Sequence, residues 1–179
     1  MKQRGFEIVS RYQTADLTLP KRQTKQAAGY DLAAATDFVV PSIWRHHFLQ
    51  AVWSLWRHGK LPQHQLTVAD QNLKPVLVPT GIKAYMQPDE VLLLVNRSSG
   101  PFKRRLVLPN GIGVIDADYY NNPNNEGEIF VQLVNYGLTD YHIKQGERIA
   151  QGIFMPYLPA DDEELPTLTR TGGFGSTKE

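Results

Sequence analysis

Gly, Pro and Asn recur so closely along this chain that most apolar runs between them are too short to be helices. Val76–Val78, Val91–Val95, Leu106–Leu108, Ile129–Val134 and Ile149–Phe154 are rich in β-branched and aliphatic residues and read as strands. Pro79-Thr80-Gly81, Pro109-Asn110-Gly111 and Lys144-Gln145-Gly146 supply turns beside them. Asn121-Asn122-Pro123-Asn124-Asn125 is predicted to be the polar tip of a hairpin leading into Glu128–Val134. Many short strands with little helix between them predict an all-β sandwich or a barrel-like jelly roll. A length of 179 residues suits one domain with a sizeable core, expected over residues 1–160. The acidic run Asp161-Asp162-Glu163-Glu164 ahead of Pro166 reads as a solvated linker, so residues 161–179 form a linker and tail.

One segment breaks the β pattern. Ile43 to His58 holds no Pro or Gly, and Trp44, Phe48, Val52 (or Ala51), Leu55 and Trp56 recur at three- and four-residue spacing. That spacing predicts one amphipathic helix, inserted over about 42–59, with Ser42 as N-cap and Gly59 as its stop. Trp44, Trp53 and Trp56 give it more apolar surface than a solvated helix needs. It is expected to pack on the sheet or on an adjoining subunit, or else to dock another protein. His46, His47, His58 and His64 lie in or near it, but with no Cys beside them a zinc site is not expected.

Composition removes several classes of function. A formal net charge of +1 argues against a protein that coats nucleic acid. The absence of Cys excludes disulfides and thiolate chemistry. No apolar stretch is long enough to span a bilayer, and the first residues lack a signal peptide's apolar centre, so a cytoplasmic protein is expected.

The chemistry-bearing residues gather in five clusters. Gly172-Gly173-Phe174-Gly175-Ser176-Thr177, with Arg170 just before, cannot build a core, because glycine costs the most to order and adds no apolar side chain. Such a run is either a frayed end or a wrap for a ligand: glycine amides and hydroxyls suit phosphate, and Phe174 offers a face for stacking on a base. Ala28-Gly29-Tyr30-Asp31-Leu32 sets a carboxylate beside a glycine. Arg97-Ser98-Ser99-Gly100 emerges at the end of an apolar run, a plausible anion cradle. Asn110 to Tyr119 leads strand-like residues into Asp116, Asp118 and an aromatic, and Glu147-Arg148-Ile149-Ala150-Gln151 opens another strand. Together they suit a nucleoside polyphosphate held with a divalent metal.

In order and content these clusters resemble the five motifs of the trimeric dUTP pyrophosphatase (dUTPase) family, over nearly the whole chain. The resemblance implies a jelly-roll, distorted β-barrel fold carrying one inserted α-helix. It implies hydrolysis of dUTP to dUMP and pyrophosphate, which keeps uracil out of DNA and supplies dUMP for dTMP synthesis. Asp116 resembles the general base that deprotonates the water attacking the α-phosphorus. Asp31 resembles the acid that holds Mg²⁺ through its waters. Arg97, Ser98, Ser99, Arg148 and Gln151 resemble the phosphate-binding groups. Asn110 and its hairpin backbone resemble the uracil reader, and Tyr119 the aromatic that stacks on deoxyribose and leaves no room for a 2′-hydroxyl. Phe174, Gly175, Ser176 and Thr177 would close over the nucleotide, with Arg170 toward the γ-phosphate. The resemblance also implies a homotrimer whose sites are shared between subunits, without nucleic acid or membrane as partners.

Two positions depart from the family pattern: only Thr171 separates Arg170 from the paired glycines, and the helix over 43–58 stands where members have a short connection. A related group, the dCTP deaminases, carries a catalytic Glu three residues before an Asn at a strand end. Here that Asn is Asn135 and the preceding position is Gln132, which argues against deamination. A non-catalytic protein working through the Trp-rich helix is the remaining rival, and Asp31, Asp116 and the tail argue against it.

Overall fold

The computed structural model describes residues 2–60 and 63–163. The tail positions Arg170, Phe174, Gly175, Ser176 and Thr177 lie outside the described residues, as do the side chains of His46, His47, Gln65, Val68 and Asn72. The strands, numbered in chain order, are β1 (Gly5–Ile8), β2 (Tyr30–Ala33), β3 (Phe38–Val40), β4 (Val76–Pro79), β5 (Ile82–Tyr85) and β6 (Glu90–Asn96). They continue with β7 (Leu106–Val107), β8 (Gly113–Asp116), β9 (Phe130–Asn135), β10 (Tyr141–Ile143) and β11 (Arg148–Pro156). Helices α1 (His46–His58) and α2 (Gln63–Leu73) fall between β3 and β4.

Every pairing between these strands is antiparallel. A four-stranded sheet runs β2-β11-β6-β8 and a three-stranded one β4-β9-β7, with the pairs β1-β5 and β10-β3 completing the body. Strand alternation decides what faces inward. In β9, Val131, Leu133 and Asn135 are buried while Phe130, Gln132 and Val134 are only partly so. In β6, Leu92 and Leu94 are the deeply buried pair. These side chains close one core with Leu32, Val40, Val78, Ile82, Ile129 and Ile143. The expected all-β fold is what forms.

The insertion is two helices that pack on each other, where the sequence pattern predicts one. α1 ends as expected at Gly59, whose φ of 65° lets its N–H reach back to the Leu55 carbonyl at 2.9 Å. Its start is different. Ser42 is not the N-cap: its hydroxyl accepts from the Trp44 N–H at 3.1 Å and donates to the Gly137 carbonyl at 2.5 Å. That local hydroxyl turn holds the chain against the end of β9, and helical geometry begins only after Arg45. α2 is weakly amphipathic, mixing Leu66, Ala69 and Leu73 with many polar residues, and so escapes a periodicity reading.

The Asn-rich loop is not a hairpin tip either. β8 pairs with β6, and β9 pairs with β4 and β7, so the segment between them crosses from one sheet to the other. It is closed by its own amide side chains, with Asn122 buried, not by ladder bonds to a facing strand. Just beyond it Glu128, 1% exposed, accepts from the Gly81 N–H at 3.1 Å and pairs with Arg11 at 2.6 Å.

Burial pushes the Glu128 carboxyl up from the ordinary glutamate range, against the pull of Arg11. A carboxyl raised on folding binds its proton more tightly in the native state, so native stability falls as pH rises through the interval between the unfolded and folded values. Glu128→Gln keeps an acceptor for Gly81 and removes that loss. Urea unfolding should therefore show the variant gaining on the parent chain as pH rises above the ordinary glutamate value. A variant that loses ground over that interval would show that the Arg11 pair outweighs the burial cost.

Candidate functional site

Strands β7 and β8 follow one another in sequence but separate in space, one joining β9 and the other β6. Their divergence opens a cavity of about 180 Å³. Leu108 and Asn110 line one arm, Gly113, Val114, Ile115 and Asp116 the other, and Leu94, Phe130, Gln132 and Tyr119 close it. Such a volume is small beside the sites that take drug-sized ligands and suits a single-ring base. Tyr119, only 5% exposed, is a fixed part of the wall, while Asn110 at the rim is exposed. Asp116, at the end of β8, also borders a wider cleft of about 570 Å³ lined by Met86, Pro88, Ala117, Asp118 and Tyr157. Asp116 thus stands where a small recess of mixed polar and apolar lining meets a wider cleft.

The second constellation is electrostatic. Asp31 on β2, 5% exposed, accepts from Arg97 Nε at 2.9 Å, Arg148 at 3.0 Å and Gln151 Nε2 at 3.1 Å. Local structure explains the convergence. Gln151 faces Asp31 directly across the β2–β11 register, β11 begins at Arg148, and Arg97 follows the last residue of β6. Arg97 also approaches the Ser99 hydroxyl at 3.4 Å, and Ser98 beside it is exposed. A π-helical turn over Gly100–Arg104 brings in Arg104, which donates to the Arg148 carbonyl at 2.8 Å and pairs with Glu147 at 2.9 Å. Three guanidinium groups against two carboxylates, Asp31 and Glu147, leave the corner with positive charge to spare for an anion.

Of the sequence-derived candidates, Asp31, Arg97, Ser98, Ser99, Arg148 and Gln151 meet at this corner, and Asn110, Asp116 and Tyr119 meet at the cavity. The two groups do not meet each other within the chain. They lie toward opposite edges of the four-stranded sheet, three strand spacings and four residues apart, about 20 Å along its surface. Phe130, Gln132 and Arg104 were not singled out as site residues. Phe130 is betrayed only by alternation, and Gln132 by alternation and by its place three residues before Asn135: both sit on the face of β9 opposite Val131 and Leu133. Among the described residues no group of three or more His, Cys, Asp or Glu is placed to hold a metal ion.

Removing Asp31 leaves Arg97, whose side chain is 15% exposed, beside Arg148 without their shared counter-charge. Asp31→Ala is expected to lower stability by about 2 kcal/mol, and Asp31→Asn by less because an acceptor remains. Chemical denaturation of the purified variants checks both, and an unchanged midpoint for Asp31→Ala would show that water already satisfies these arginines.

The family model described as dUTPase matches residues 61–178, well over half of the chain. A deoxyuridine 5'-triphosphate nucleotidohydrolase of Lactococcus lactis subsp. lactis (strain IL1403) is 45% identical over 178 residues, which is 99% of each protein. A crystal structure of the dUTPase from Streptococcus mutans superposes with a TM-score of 0.68 at 44% identity, covering 88% of this chain and 98% of that one. A mutant dUTPase from phage phi11 of S. aureus shares the fold at 16% identity, with a TM-score of 0.60 over 92% of this chain and 97% of that one. That structure reveals how a structural Mg(II) ion is coordinated there. Agreement in sequence along the whole chain and in three-dimensional structure leads to one conclusion: this chain belongs to the dUTPase family.

Proposed function

We propose that this dUTP-hydrolysing enzyme works by water attack on the α-phosphorus, releasing dUMP and pyrophosphate, with Asp116 as general base. The observation that carries the reading is the position of Asp116, at the mouth of a base-sized cavity and facing an open cleft. With a pyrimidine in the recess, the sugar lies along Tyr119 and the first phosphate reaches the carboxylate. Tyr119 leaves no room for a 2′-hydroxyl. Asn110 and the backbone of the β7–β8 connection read the edge of uracil. Gln132 supports hydrolysis over deamination, because an amide cannot take the proton that a deaminase's carboxylate takes.

Arg97, Ser98, Ser99, Arg148 and Gln151 hold the phosphate chain, and Arg104 steadies the carbonyl of Arg148. The donor set fits Mg²⁺. Both Asp31 oxygens already accept hydrogen bonds, which favours contact through water, and magnesium characteristically relies on substrate phosphates and waters, not on an all-protein cage. When bound, the ion neutralises triphosphate charge; the positioning is done by these side chains.

A triphosphate seated at the cavity cannot reach a corner about 20 Å away on the same chain. That separation supports sites shared between subunits of a homotrimer, each joining one chain's cavity to another's arginine corner. Exposed apolar residues on and beside β8, Ile112 and Val114, offer surface for such contacts. Phe174, Gly175, Ser176 and Thr177 close over the nucleotide, with Arg170 toward its γ-phosphate. The insertion stands apart from this chemistry, and exposed Trp53 and Trp56 support a docking role for another protein. A cytoplasmic location fits a soluble nucleotide substrate; no described helix is long and apolar enough to cross a membrane.

Asp116→Asn should retain nucleotide binding while lowering turnover on the order of a hundredfold or more. Near-normal turnover would move the base elsewhere, and orthophosphate as product would refute attack at the α-phosphorus. Chains ending at Pro166 should assemble but turn over dUTP very poorly. Co-assembled with Asp116→Asn chains, they should exceed the summed activity of the two parents. Mixed oligomers confirmed by mass that regain nothing would place base and tail on one chain.

A further inference from the structure

The loop that follows Tyr119 is folded onto Tyr119 itself. The phenol hydroxyl donates to the Glu128 carbonyl at 2.9 Å and accepts from Asn125 Nδ2 at 2.8 Å. Asn125 is held in turn through its other amide atom: Oδ1 accepts from Asn122 Nδ2 at 2.7 Å and from the Gly127 N–H at 3.1 Å. Asn122, 4% exposed, also donates to the Tyr119 carbonyl at 3.0 Å, and its Oδ1 accepts from the Asn124 and Asn125 amides at 3.0 and 3.3 Å. The loop returns so close that a Cβ at Gly127, where φ is 80°, would lie 2.4 Å from the Tyr119 carbonyl oxygen. Two amides are thus spent on one tyrosine, at its backbone and at the far tip of its ring.

We propose that Asn125 is a positioning residue for Tyr119, and that by pinning the phenol it sets the preference for a 2′-deoxyribose over a ribose nucleotide. This rests on the reading of Tyr119 as the wall that excludes the 2′-hydroxyl. A ring held by packing alone can tilt, and exclusion of a single oxygen requires a wall fixed to within about 0.5 Å. Two hydrogen bonds at the ring's tip fix both its plane and its depth. The same bonds give the loop its functional consequence. It touches no substrate, yet it decides whether the wall yields.

The test measures kcat/KM on dUTP and on UTP for the full-length chain and its variants. Asn125→Ala should lower the dUTP/UTP selectivity about fivefold to tenfold, the scale of one lost hydrogen bond to a buried group, with kcat on dUTP within about twofold of the parent. Tyr119→Phe cuts both bonds at the hydroxyl while leaving the loop's own bonds intact, and should lose selectivity to a similar extent. In the Tyr119→Phe background, Asn125→Ala should then cost no further selectivity. Ser10→Ala loosens the opposite side of the same loop, where Ser10 holds Glu126, and should lower thermal stability without changing the ratio. Equal loss of selectivity in Ser10→Ala, or additive losses in the double variant, would reduce Asn125 to a general stabiliser and overturn the proposal. Should Asn125→Ala fail to fold, an unchanged ratio in Tyr119→Phe overturns it alone. Unchanged selectivity in Tyr119→Ala would instead refute the wall itself, a distinct signature that removes the proposal's footing.

Discussion

The seven-residue pairing of β6 with β11, from Ala150 opposite Asn96 to Pro156 opposite Glu90, is the constraint on which the rest of this molecule hangs. It joins two segments more than fifty positions apart, at the high entropic cost of any long-range closure. In return it buries Leu92 and Leu94 and sets the register of both outer strands. One end of this ribbon carries Arg97 and Arg148 to Asp31. The other end and the far edge carry β8 with Asp116. A slip of one residue would turn every side chain of β11 to the opposite face and scatter the arginine corner.

That corner is held together by its own side chains. A buried carboxylate between two arginines is costly to desolvate and adds little net stability. What it secures is geometry: the guanidinium groups are held in one orientation and, at Arg97, largely out of water. The Arg104–Glu147 pair extends the arrangement, and the Tyr141 hydroxyl donates to Glu147 at 2.9 Å behind it. Burial and that carboxylate hold the Tyr141 phenol above the usual tyrosine range. Three elements are thereby tied through side chains alone.

Irregular backbone in this fold is closed by polar side chains placed where ladders stop. Asn135 ends β9 fully inside the protein, donating to the Val40 and Thr139 carbonyls at 3.1 and 2.8 Å and accepting from Gly137 at 2.8 Å. Ser42 meets the same turn from the other side, and Trp44 Nε1 donates to the Tyr136 carbonyl at 3.0 Å. The two-helix insertion is therefore rooted in a short polar knot, while exposed faces of Trp53 and Trp56 stay outside it. Asn122 and Asn125 do the equivalent work behind Tyr119.

Local chemistry written in the sequence was enough to determine the β class and the helix stop at Gly59. Those features depend on neighbours within a few positions: turn residues, spacing, a glycine free to take positive φ. α2 escaped because its apolar stripe is thin, although its freedom from Gly and Pro between Pro62 and Pro75 was a readable signal. The Asn loop differs from the hairpin tip its composition predicts because compositions suited to hairpin tips and to self-closed loops are alike; only strand partners separate them. Tertiary structure alone decided that β7 and β8 part to open a cavity, that Gln132 and Phe130 line it, and that Asp31 and Asp116 stand at opposite edges of one sheet. Each of these outcomes is a matter of which distant strand supplies the hydrogen-bonding partner. Side-chain type in a single segment does not encode that choice; it emerges from burying all the strands' apolar faces at once.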